Sequence, residues 1–442
     1  MSREATAAVI AEWLEDFAVP PHVTRKPGRV GLTTLNEILA IVGPRRSGKT
    51  FFMYQLVGEL LASSRATKED ILFVDFEDYR LTGLTTSGID DLLESFNRLT
   101  GRGPSFLFFD EIQHLPGWSR VLRTLHNQRR YRIVVSGSNS SLLAEEVASE
   151  LRGRYRDLVM LPFSFSEVLA LKGVEYSERT LHTPARGRLI GAFDEYLATG
   201  GFPEVVGKVI RAERRDTLQS YVRTIFYRDI VERHNVRATH ILDAMMRHCL
   251  GAYADLFSVS AFEKGLKSAG LPGSKRTIAT YLKYLEEAFF LLVREKFSFS
   301  PRKRVMNPKK VYLLDPGFAM LSPGFSENRG KRLENVVAVE LRRRGEECFY
   351  HHGRRECDFI ITQDGHPRQA VQVCQELTDR NRRREIEGLA DAAEALGTRE
   401  ALVLTFDQRE TLVQDGLTVT VRPVWEWLLG PAARAPLAIP EI

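Results

Sequence analysis

The sequence predicts an α/β protein with a helix-covered parallel sheet at the front, a helical stretch in the middle and a second α/β layer at the back. Three observations predict it. Apolar strand-like runs alternate with helix-like segments over residues 1–165, a glycine-containing loop follows the first such run, and strands return near residue 347 around a charged helix. The 442 residues are 43% hydrophobic and 27% charged, which excludes a mainly disordered chain. At about 100–200 residues per domain, that length implies several cores.

Taken in order, the first residues read as an amphipathic helix. Strands are expected at 38–42, 71–75, 106–109 and 131–136, with a fifth at 158–161. From 165 to about 235 the pattern is helical, broken at Gly200-Gly201-Phe202-Pro203. After short helices and the turn around Gly270, a helix opens at Ser274 and runs past Leu285. Two strands are then expected, at 289–293 and 310–314. Helices followed by a strand pair give the order of a winged helix. The last part predicts a helix over 333–343, strands at 347–351, 357–362 and 369–375, a helix at 382–396 and a strand at 400–405. The division expected is 1–165, 166–238, 239–315 and 316–442.

Several classes are excluded. No apolar run approaches the roughly 20 residues of a membrane span. Glu4, Glu12 and Glu15 occupy the region where a secretory signal would be apolar. A cytoplasmic location is therefore expected. Cys249, Cys348, Cys357 and Cys374 have neither CxxC nor metal-ligand spacing. Cys357 and Cys374 fall on neighbouring predicted strands, yet buried free thiols are the simpler reading.

Gly43-Pro44-Arg45-Arg46-Ser47-Gly48-Lys49-Thr50 fits the phosphate-binding pattern GxxxxGK[ST] between a strand and a helix. Glycines let successive N–H groups curl toward phosphates, Lys49 reaches the outer ones, and the Thr50 hydroxyl suits Mg²⁺. ATP and Mg²⁺ are the ligands this pattern implies. The apolar run ending in Asp110-Glu111 adds a carboxylate for the metal, Asp110, and one to orient or deprotonate water, Glu111. At the end of the next strand, Ser138 or Asn139 is expected to bond the water beside the γ-phosphate. Arg154, with Arg152 as its rival, is placed to reach a neighbouring subunit's phosphate.

Taken together and in this order, GPRRSGKT, FLFFDEIQ, SGSNSSLL, LRGR, LPFSFSEVL, GGFPE and YRDIVERH resemble the AAA-type ATPases of archaea and bacteria. Those proteins end in a domain related to restriction-endonuclease-like folds. The resemblance implies an AAA-type P-loop core with a helical lid, ATP hydrolysis, and a homo-oligomer such as a hexameric ring. It also implies a nuclease-type site of Glu334, Asp358 and a (D/E)xK element. Here Gln372 stands in the acidic position and Cys374 in the lysine position. Neither can supply the charge the reaction needs, so a degenerate, inactive nuclease domain is expected.

The net charge of +5 is too small to argue for nucleic acid by itself. Local clusters do so: Lys275-Arg276 at the start of a helix, and Arg302-Lys303-Arg304 between two strands. The run Arg382–Arg384 is followed by Glu385 and Glu387, which are available to pair with it. The expected function is an ATP-driven motor or remodeller acting on duplex or branched DNA, in recombination, mobile elements or defence. The alternative is a nucleotide-dependent switch or scaffold that controls protein assembly without DNA.

Overall fold

In the computed structural model, residues 3–27, 32, 36–137, 153–322, 328–414 and 416–430 are described. Met1–Leu161 belongs to one compact unit and Pro162–Arg434 to another. Among the described residues, no helix is long and apolar enough to cross a membrane.

The front unit is a five-stranded parallel sheet of β1 (Ile38–Val42), β2 (Ile71–Asp75), β3 (Phe106–Asp110), β4 (Arg132–Gly137) and β5 (Tyr155–Val159), in the order β2-β3-β4-β1-β5. Side chains alternate between faces along each strand. Ile38, Ala40 and Val42 join one core with Leu107, Phe109 and Val135. Leu39 and Ile41 join the other with Phe73, Phe108 and Val134. Helices α1 (Arg3–Asp16), α2 (Lys49–Ala62), α3 (Gly88–Thr100) and α4 (Trp118–Asn127) supply the covering residues. Burial on both faces explains the continuous apolar runs of the inner strands. The N-terminal helix expected from the sequence also protects a sheet edge. Its Trp13 indole donates to the Ile71 carbonyl at 2.8 Å, occupying an acceptor on the edge strand β2.

The fifth strand begins three residues earlier than expected. Tyr155–Val159 pairs with β1, Ile38 lying opposite Tyr155. As an edge strand it is only partly buried, so its apolar signal is weak. The buried Met160 and Leu161, expected inside it, follow its end.

In the second unit, the helix Phe165–Leu171 opens with a capping box in which Ser164 and Glu167 satisfy each other's backbone N–H groups. Helices Ala185–Thr199, Pro203–Val206 and Arg211–Thr224 follow, the last continuing into a π-helix over Ile225–Glu232. Next come the helix Thr239–Gly251, β6 (Asp255–Phe257), helices Val259–Ser268 and Lys275–Glu287, β7 (Leu291–Arg294), the short helix Pro301–Met306 and β8 (Lys309–Leu313). The three strands form an antiparallel sheet in the order β6-β8-β7. Phe289, expected in a strand, instead takes a left-handed turn conformation at φ 55°. Arg302–Arg304 lie on a helix started by Pro301 rather than in an open loop.

A six-stranded mixed sheet completes the unit, ordered β13-β14-β12-β11-β10-β9. Its strands are β9 (Glu347–His352), β10 (Glu356–Gln363), β11 (His366–Val373), β12 (Glu400–Thr405), β13 (Glu410–Gln414) and β14 (Leu417–Pro423), joined by helices Arg329–Arg343 and Asp379–Leu396. The last two strands were not expected from the sequence. All four cysteines are buried and free.

Asp315, fully buried, ties distant parts of this unit by accepting the N–H groups of Gly201 and Gly317, each at 2.8 Å. Loss of hydration raises its carboxyl to about 7 despite these bonds. A carboxyl with a raised folded-state value stabilises the fold below its unfolded value, and that contribution is lost as pH rises through the folded value. Urea unfolding of the full chain is therefore expected to weaken between about pH 4 and pH 7, by on the order of 4 kcal/mol. Asp315→Asn should flatten that dependence.

Candidate functional site

Parallel register brings the carboxyl ends of β1, β3 and β4 to one edge of the front sheet. Ile41 lies beside Ser136 and Val42 beside Gly137. Phe109 lies beside Val135, which puts Asp110 next to Ser136. The Gly43–Thr50 loop leaves from this edge. At Gly43 a Cβ atom would fall 2.1 Å from the Met160 carbonyl oxygen, and Gly48 adopts φ 95° as it opens α2. Both positions therefore demand glycine.

Lys49 is 4% exposed, and its ammonium donates to the carbonyls of Gly43 at 3.2 Å and Pro44 at 3.0 Å. It also lies 3.8 Å from Glu111 Oε1. Thr50 Oγ1 donates to Asp110 Oδ2 at 2.7 Å. Ser136 donates its hydroxyl proton to the other oxygen, Asp110 Oδ1, and accepts the Glu111 N–H at 3.0 Å. Burial raises the Asp110 carboxyl to about 6, with the two hydroxyl bonds opposing the rise. Glu111 turns out of the strand at φ 48°, and its carboxylate accepts from the Gln113 amide.

Two participants carry no motif signal. Ser136 is one, for attention in the sequence falls on the later polar residues Ser138 and Asn139. Those two, with Arg152, lie outside the described residues. Arg25 is the other. Its guanidinium donates to the Ser47 and Leu161 carbonyls at 2.7 Å each, bracing the loop from behind, while Gln55 bonds its backbone at 2.8 and 3.0 Å. Arg45 is paired with Glu77 at 3.2 Å, and Arg46 takes a left-handed conformation at φ 63°.

The loop suits a phosphate ligand. The Ser47 hydroxyl is fully buried without a hydrogen-bond partner, and α2 directs its N-terminal dipole at the same place. Thr50 and Asp110 provide the hard oxygen donors that Mg²⁺ prefers. Arg154 stands at the other end of the sheet, its carbonyl accepting the Ile38 N–H at 2.8 Å. The length of β1, roughly 17 Å, separates it from its own loop.

In the second unit, Lys275 and Arg276 are exposed on the first turn of a helix capped by Ser274. Arg302 and Lys303 are exposed, with no carboxylate partner among the described residues. Arg304 is engaged otherwise: it donates to the Ser298 carbonyl at 2.6 Å and lies over the Phe349 ring at 4.6 Å. Arg382 pairs with Glu410, Arg383 with Glu387 and Arg384 with Glu385. Glu334 and Asp358 do converge, both on the ammonium of Lys310. Gln372 accepts the Asp358 N–H at 3.2 Å and donates to Glu385 at 2.8 Å. Cys374 is packed in a hydrophobic cluster, which pushes its thiol up to about 12.

Residues 35–169 match an AAA domain, and residues 190–329 match a domain of unknown function (DUF8612). The uncharacterized protein MJ1544 of Methanocaldococcus jannaschii is 31% identical over 411 residues, covering 89% of this chain and 88% of its own. An uncharacterized protein of Haemophilus influenzae is 30% identical over 310 residues, 70% of this chain and 75% of that protein. Among solved structures, the Walker-type ATPase PABY2304 of Pyrococcus abyssi aligns at 16% identity and a TM-score of 0.42, covering 72% of this chain and 95% of that one. The Aeropyrum pernix ORC1 protein in complex with DNA aligns at 17% and 0.28, with coverage of 70% and 88%.

Ser136→Ala tests the geometry. It removes a hydrogen bond to a buried carboxylate, worth about 1.5–3 kcal/mol. Nucleotide binding measured with Mg²⁺ is expected to weaken by about tenfold or more, while binding measured in EDTA stays unchanged.

Proposed function

We propose that this chain, which belongs to one family with the uncharacterized M. jannaschii protein and carries an AAA domain over residues 35–169, hydrolyses ATP to ADP and phosphate in order to act on duplex or branched DNA. The observation that carries the ATPase reading is the meeting of Lys49, Thr50, Asp110, Glu111 and Ser136 at one sheet edge. When bound, Mg²⁺·ATP supplies the phosphoryl group and its charge neutralisation. Lys49 would exchange the loop carbonyls for the outer phosphates, Thr50 and Asp110 would hold the metal, and Glu111 would orient the attacking water and take its proton. Ser138 or Asn139 remains the proposed contact to that water. The position of Arg154 supports action on a neighbouring subunit's nucleotide, and hence a homo-oligomer with a hexameric ring as one form.

We divide the chain into an ATPase core (1–165), a helical lid (166–238), a winged helix (239–315) and a nuclease-derived domain (316–442). The helix–strand–helix–helix–strand order, completed by β8 after the short helix Pro301–Met306, and the β6-β8-β7 sheet support the winged helix. Its DNA contacts are Lys275 and Arg276 at a helix N-terminus, with Arg302 and Lys303 on the short helix. Arg304 contributes by holding that helix in place. Exposed Phe299 and Met306 flank the basic pair, as suits a surface meeting phosphates and bases together. The neutral Gln372 and Cys374 support an inactive nuclease-type site.

Lys49→Ala is expected to weaken ATP binding more than about tenfold. Glu111→Gln should retain ATP and slow turnover by about a hundredfold or more. Normal turnover by Glu111→Gln would remove the water-activation role. For DNA, an Arg302→Ala/Lys303→Ala variant should bind duplex and four-way-junction DNA more weakly, with a salt slope shallower by about 2. If the unaltered protein shows no salt-sensitive DNA binding and no DNA effect on ATP turnover, the nucleotide-dependent assembly switch takes its place.

A further inference from the structure

Carboxylates brought together in a low-dielectric interior need a positive partner, because their mutual repulsion and lost hydration are large. Glu334, from the helix Arg329–Arg343, and Asp358, from β10, are 8% and 5% exposed. Glu356 joins them from the same strand, on the solvent side. Between the three stands the ammonium of Lys310 from β8, itself 2% exposed. It lies 2.7 Å from Glu334 Oε1, 2.9 Å from Glu356 Oε1 and 2.8 Å from Asp358 Oδ1. An ammonium has three protons to donate, and three acid groups surround this one.

Two further donors reach the pocket. Asp358 Oδ2 accepts the Val373 N–H at 2.9 Å, and the Tyr312 hydroxyl donates at 2.7 Å to Glu334 Oε1, the oxygen that Lys310 also approaches. Tyr312 is two residues beyond Lys310 on the same strand, so both side chains point to one face of the sheet. A helix glutamate facing a strand Glu-x-Asp is also a set of hard oxygen donors of the kind that gathers a divalent cation.

We propose that Lys310 is the built-in cation of this pocket: its ammonium stands where the carboxylates would otherwise gather a divalent metal ion, and the pocket as folded takes none. The inference is independent of ATP hydrolysis and DNA binding. Charge matching supports it. Gln372 presents a neutral amide beside the pocket instead of another carboxylate, lowering the negative charge to be balanced. In the interior the ammonium then faces only Asp358 and Glu334, whose carboxyl burial raises toward its neutral form, while Glu356 keeps its contact with solvent. Burial opposes a charged lysine, yet the three acids hold Lys310 protonated far above the usual lysine range.

The test uses nucleotide-free, full-length protein and Mn²⁺. The unaltered protein is expected to bind no Mn²⁺ by electron paramagnetic resonance, and to melt at one temperature with Mn²⁺ or EDTA. Lys310→Met should melt lower in EDTA, recover with Mn²⁺, and bind Mn²⁺ where the unaltered protein binds none. Where Lys310→Met does not fold, the double variant Lys310→Met/Glu334→Gln, which carries one carboxylate fewer, is expected to show the same gain of binding. Three results would overturn the proposal: Mn²⁺ binding or DNA cleavage by the unaltered protein that Asp358→Asn abolishes, a folded Lys310→Met protein with no response to Mn²⁺, or a double variant that gains no binding.

Discussion

Asp110 is buried at the end of β3, and each of its oxygens accepts a hydroxyl proton, one from Thr50 and one from Ser136. Those residues belong to the phosphate loop's helix and to β4, so one acid group joins three separate chain segments. The junction depends on parallel register, because only parallel neighbours end together at one edge. Slipping β4 by one residue against β3 would turn Ser136 to the opposite face and leave half of the carboxylate unbonded in a dry environment. The apolar alternation along β1, β3 and β4 therefore fixes the Asp110 and Ser136 oxygens as firmly as it fixes the core.

Two lysines illustrate opposite uses of a buried ammonium. Lys49 rests on main-chain carbonyls, neutral acceptors that hold it in place without neutralising it. Its ionic contact is a long one, to Glu111 at 3.8 Å. Lys310 is surrounded by acids, and its charge is consumed locally. The first arrangement can exchange partners at modest cost when a triphosphate arrives. The second cannot, because withdrawing the ammonium leaves carboxylates facing one another.

The front unit was legible because its information is local. A buried parallel strand needs a continuous apolar run, and the loop, helix and acidic strand end that follow use residue types set by phosphate and Mg²⁺ chemistry. What escaped notice was positional. Ser136 sits among four polar or glycine residues that look alike in one dimension, and only the pairing with Ile41 and the neighbouring Asp110 selects it. Arg25 has no pattern around it; its meaning comes from two carbonyls, 22 and 136 residues away. Of the last two strands, β13 is a largely exposed edge with little apolar signal, whereas β14 alternates buried and exposed residues and carries the period-two pattern of a strand.

The C-terminal pocket shows why a cluster of acids must be judged by charge and not by position along the chain. The family resemblance pointed to position 374 for a lysine, and there the structure has a buried thiol. The positive charge comes instead from Lys310, 48 residues before Asp358 and on a different sheet. Removing the carboxylates alone or the lysine alone leaves an uncompensated buried charge in either case. The charge state of the pocket is therefore set by the cation that faces Asp358, whichever strand supplies it.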